Sequence, residues 1–60
     1  MELQTVKAVI ERGTQGRVQF NIAQQLGITQ TVVAYIMTQH RNGKNPNWIL
    51  EQLNKGAGQK

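Results

Sequence analysis

The chain contains no cysteine, so no disulfide can staple it and no cysteine-ligated zinc can hold it. One histidine, His40, and three acids, Glu2, Glu11 and Glu51, are too few and too scattered for a closed metal site. The same shortage argues against an enzyme, because general acid–base chemistry needs several positioned titratable groups. No nucleophile–base pair occurs, and Gly13-Thr14-Gln15-Gly16 lacks the lysine of a phosphate-cradling loop. No cofactor and no small-molecule substrate is therefore expected. Phe20, Tyr35 and Trp48 are the only aromatics, a poor set for the stacking platforms that read single-stranded RNA. The longest apolar run, Val32 to Met37, is interrupted by Tyr35 and is far too short to span a bilayer. No basic-then-apolar leader opens the chain, which points away from a secretory precursor and towards a cytoplasmic protein.

What is present is positive charge. Seven Lys and Arg face three Asp and Glu, giving +4 on 60 residues and a pI near 10.2. On so small a body this field favours a polyanionic partner over mere solubility. A chain of this length buries a low fraction of its surface, so one small domain helped by self-association is expected.

The apolar pattern is helical. Leu3, Val6, Val9 and Ile10 recur at spacings of three and four, placing a first helix over about Glu2 to Arg12. Gly13 reads as its stop, with residues 13–16 a flexible connector. A second helix is expected over about Arg17 to Leu26, with Val18, Ile22 and Leu26 on one face and Ala23 beside them, ended by Gly27. Thr29 stands where an N-cap belongs. Over about Gln30 to Gln39, Val32, Val33, Ile36, Met37 and His40 fall within roughly 140° of a helical wheel. Gln30, Thr31, Ala34, Tyr35 and Thr38 take the opposite side. Asn45-Pro46 opens a fourth short helix carrying Trp48, Ile49, Leu50 and Leu53. Arg41-Asn42-Gly43-Lys44 reads as a basic turn; a short hairpin over Arg41 to Trp48, with Asn42-Gly43 at its tip, is the alternative. The fold class is all-α, a compact bundle of three to four short helices over residues 1–55. Residues 56–60 are expected to form a disordered tail.

The stretch from Gln19 to Thr38, QFNIAQQLGITQTVVAYIMT, brings two short helices together at Gly27 with almost no connector. Here the chain resembles the helix-turn-helix DNA-binding regulators of the phage and bacterial repressor (Cro-like) kind. Counted from Gln19, that family's pattern has alanine fifth and glycine ninth, matched by Ala23 and Gly27. Its fourth, eighth, tenth, fifteenth and eighteenth places are apolar, matched by Ile22, Leu26, Ile28, Val33 and Ile36. The resemblance covers about a third of the chain.

It implies that the third helix enters the major groove of double-stranded DNA. Gln30, Thr31, Ala34, Tyr35 and Thr38 would then read bases, and Arg17, Thr29, Arg41 and Lys44 would hold phosphates. That helix has no Lys or Arg before Arg41, which implies an A·T-leaning or apolar readout, or recognition resting partly on shape. Trp48, Ile49, Leu50 and Leu53 form a second apolar cluster that reads first as core, with Trp48 closing the bundle. It is also more apolar surface than one small body easily hides, so Trp48, Ile49 and Leu53 are expected at a homodimer interface. The implied function is a repressor-like, nucleoid-associated transcriptional regulator. The alternative is a small protein-interaction module that binds a host protein through the Trp48 helix.

Overall fold

The computed structural model describes residues 1–57, and within them the chain is four α-helices: α1 (Leu3–Thr14), α2 (Gln19–Leu26), α3 (Gln30–Arg41) and α4 (Pro46–Asn54). No strand occurs among the described residues. The core takes its side chains from every helix. Val6 and Val9 come from α1, Ile22 and Ala23 from α2, Val32, Val33 and Ile36 from α3, and Ile49 and Leu53 from α4. Helix α1 packs against all three others, and α2 and α3 share the most extensive helix–helix contact.

Gly13 does not stop α1. The helix runs through it to Thr14, and a side chain at position 13 would meet the Sδ and Cε atoms at the flexible end of Met37 on α3. Glycine here serves close approach of two helices. The stop falls at Gly16, with φ 84°. Its N–H donates to the Gly13 carbonyl at 3.1 Å, and the Arg17 N–H donates to the Arg12 carbonyl at 3.2 Å. This paired closure satisfies two orphan carbonyls of α1. It also explains why α2 starts later than the periodicity predicts. The Arg17 N–H closes α1, leaving Val18 as the extended N-cap residue of α2, outside the helix and 62% exposed rather than on its core face.

Helices α3 and α4 begin where their cap residues predict. Thr29 Oγ1 accepts from the Val32 N–H at 3.2 Å, and Asn45 Oδ1 accepts from the Trp48 N–H at 2.8 Å, with Pro46 following at the first helical position. Helix α3 extends two residues past the expected end at Gln39. The Gly43 N–H then donates to the His40 carbonyl and the Lys44 N–H to the Gln39 carbonyl, each at 3.0 Å. With Arg41 inside α3 and Pro46 opening α4, the intervening residues form a turn. The alternative hairpin does not form. The expected tail also starts too early at 56, since the Gly56 N–H donates to the Leu53 carbonyl (2.9 Å) and the Ala57 N–H to the Gln52 carbonyl (3.0 Å). These bonds finish α4; the rest of the expected tail, residues 58–60, lies outside the described residues.

Candidate functional site

Three residues turn the chain between α2 and α3. Gly27 adopts a left-handed conformation (φ 68°, ψ 31°), which glycine reaches without the penalty that a Cβ brings. The Ile28 N–H reaches back to the Ala23 carbonyl at 3.0 Å, and Thr29 caps α3. Around this corner Ile22, Val33 and Ile36 have no accessible surface, Ala23 retains 5%, and half-buried Leu26 and Ile28 pack against the same core. Each apolar position of the sequence pattern thus holds α3 against α2.

That packing fixes which side of α3 faces outward. Gln30, Thr31 and Thr38 are exposed, and none of their side chains bonds another described residue. Ala34 is half-buried, and Tyr35 is half-buried and packs against the core. Tyr35 is therefore less outward than the wheel implies, with part of its ring serving the fold. At 100° per residue, Gln30, Ala34, Thr38 and Arg41 lie within an arc of about 80°. Because α3 continues to Arg41, this exposed guanidinium belongs to the same helical face, where the sequence places it in the turn beyond.

The cations are distributed around the face rather than upon it. No charged residue occurs from Val18 to His40, and this uncharged stretch is bracketed by Arg17 and Arg41, both exposed. Arg12, on α1, is committed elsewhere. Its Nε donates to Gln25 Oε1 at 3.2 Å, and its Nη1 donates to the Ala8 carbonyl at 3.4 Å. Lys44 stands with Nζ 4.9 Å from the centroid of the Trp48 ring, a cation–π contact that steadies the turn after α3. Lys55 pairs with Glu51 at 3.5 Å across one turn of exposed surface. Thr29 Oγ1 accepts within its cap, which leaves the hydroxyl proton available to donate outward.

The expected interface residues divide. Ile49 has 0% and Leu53 1% of their surface accessible, so a single chain already buries both and neither can meet a second copy without opening the fold. This corrects their assignment. Four helices suffice to cover these side chains because α4 lies against both α1 and α3. Half-buried Trp48 alone of the three retains surface.

The exposed large apolar side chains instead include Val18 and Phe20, the latter 52% exposed, at the start of α2. The wheel places Phe20 off the core side of α2, and that was the available signal. Beside them an open cleft of about 380 Å³ is lined by Gly16, Arg17, Val18, Asn21, Gln24 and Gln25. Among the described residues no group of three His, Asp or Glu gathers as metal ligands would, and no helix is long and apolar enough to cross a membrane.

Comparison with known protein families, with curated proteins and with solved structures finds no match to this chain. What the site does rests on its own residues.

Proposed function

We propose that α2 and α3 form a helix-turn-helix, and that the protein is a sequence-specific DNA-binding regulator with α3 lying in the major groove. The observation that carries this reading is the two-sidedness of α3. One side is buried against α2 by the Gly27 corner. The other presents Gln30, Thr31 and Thr38 to solvent without internal partners. Hydrogen-bonding side chains on an exposed helix are what base edges in a major groove require. Arg17 and Arg41 flank them and would neutralise phosphates on either side of the groove, joined by Thr29 and by Lys44 beyond the end of α3. The regulator acts as a homodimer that covers a promoter or origin and blocks competing assembly. Two α3 helices about 34 Å apart would then read an inverted repeat. No catalytic step belongs to this mechanism, which needs only occupancy.

The test is binding of the full chain to a pool of random duplex DNA at several salt concentrations, with the retained fraction sequenced. An enriched inverted repeat is expected, with affinity falling by about 0.9 log units per tenfold salt for each phosphate neutralised. Retention that enriches no sequence would overturn specific readout.

A second reading, a small protein-interaction module, is favoured by Val18 and Phe20, which expose apolar surface at the start of α2. It moves the contact surface away from α4, whose Ile49 and Leu53 are buried. Under this reading Phe20→Ser abolishes activity in cells and Thr31→Arg does not. DNA readout by α3 predicts loss of activity with Thr31→Arg in a protein that remains folded.

A further inference from the structure

The exposed face of α3 has a narrow chemical vocabulary. From Gln30 to Thr38 it holds amide, hydroxyl, methyl and phenol groups and no ionic group of either sign. Guanine presents two acceptors in the major groove, N7 and O6, and is best met by the paired donors of arginine or by lysine. Cytosine presents the N4 donor, best met by a carboxylate. None of these partners occurs on the face before Arg41. Adenine presents an acceptor and a donor side by side, the pattern that the Gln30 amide complements. Thymine presents an acceptor and a methyl group, which suit the hydroxyl and methyl of threonine and the methyl of Ala34.

One route of readout through DNA shape inserts a cation into a narrowed minor groove. Among the described residues the cations near this face are not on extended arms. Arg17 sits in the tight turn that closes α1, Arg41 lies within α3, and Lys44 stands over Trp48.

We infer that the base pairs beneath Gln30 to Thr38 are A·T pairs read directly, with Gln30 on adenine and Thr31 and Ala34 against thymine methyl groups; this rests on the DNA-binding reading above. Gln30 and Thr38 are separated by about 12 Å along the helix axis, the length of about four base pairs at ~3.4 Å each. Arg41, three residues beyond Thr38 at the end of α3, is the phosphate contact of the reading above and marks where the run of neutral readers ends.

Sequencing of the duplexes retained by the full chain, followed by affinity measurements on the enriched site with deoxyuridine in place of thymidine, tests this. The expected result is a run of about four A·T pairs in each half-site. Affinity should fall about fourfold for each contacted methyl removed, the effect of one buried methyl-sized group. Enrichment of G·C pairs inside the run would overturn the inference while leaving sequence-specific binding intact. An A·T run indifferent to loss of the methyl groups would overturn it as well, since the preference would then belong to DNA shape. Retention without any enriched sequence would overturn the DNA-binding reading and this inference with it.

Discussion

Helices α1 and α4 carry Lys7, Glu11, Arg12 and Glu51, whereas α2 and α3 carry a single charge, Arg41, at the last position of α3. The two pairs do not differ in how they make the core, since each helix contributes fully buried aliphatic side chains. They differ in what the outward side does. On α1 and α4 two of the four charged groups have partners within the chain, Arg12 with Gln25 and Glu51 with Lys55. On α3 the outward groups Gln30, Thr31 and Thr38 are neutral and have no such partner. A helix needs a polar outer side to stay in water, but ionic residues meet that need as well as glutamine and threonine do. The neutral, unpartnered side is consistent with a surface kept for an external ligand. The same residues also carry little of the fold's stability.

That contrast can be broken most severely from the inside. Ile36→Ala removes a fully buried side chain of α3 and should cost about 2–5 kcal/mol. A core of this size supplies only roughly 3–5 kcal/mol in total, so most of the helical circular dichroism signal should be lost at ambient temperature. Retention of a native melting curve would mean that α3 is not held by the core described. On the outer side of the same helix, Thr31→Arg should change stability by no more than about 0.5 kcal/mol. It should weaken binding to the enriched duplex by about 1–3 kcal/mol, the scale of one good base contact. Anisotropy titrations showing unchanged affinity would move recognition off α3.

The corner between the two sides comes next. Gly27→Ala places a Cβ where no atom lies within 4 Å, so its cost is backbone strain alone, about 1–2 kcal/mol. Each kcal/mol should lower the melting temperature by roughly 4–8 °C; an unchanged melt would show that the corner tolerates another geometry. Arg41→Ala should leave the fold intact and reduce the salt dependence of binding by about one phosphate equivalent, and an unaltered slope would place Arg41 off the DNA. The smallest effect belongs to the charged half. Lys55→Gln deletes an exposed i,i+4 pair worth about 0.3–0.5 kcal/mol, and a larger loss in urea titration would mean that this surface contributes more than its geometry indicates.

The starts of α3 and α4 were legible because their determinants are local. Thr29 and Asn45 hydrogen-bond within three residues of themselves, so the caps can be read directly from the chain. The end of α1 was not legible, because the role of Gly13 depends on Met37, which is 24 positions away in sequence and comes near only in the fold. Whether Ile49 and Leu53 are core or interface stayed open for a related reason. A pattern of apolar residues shows that a surface must be covered, but not whether α1 and α3 or a second chain covers it. At the candidate site, the outward positions of Gln30, Thr31 and Thr38 followed from periodicity. The partial burial of Tyr35, by contrast, depends on neighbours that periodicity does not see.

The contact of α1 with every other helix bears on the order in which the chain can be completed during synthesis. Helix α1 precedes the end of α4 by about 40 residues, an interval of about 2–8 s at typical rates of chain elongation. Until α4 emerges, the stripe of Val6 and Val9 has only part of its covering. The covering of α1 is thus complete only when α4 is in place, so a chain cut short before α4 leaves part of that aliphatic stripe open to water.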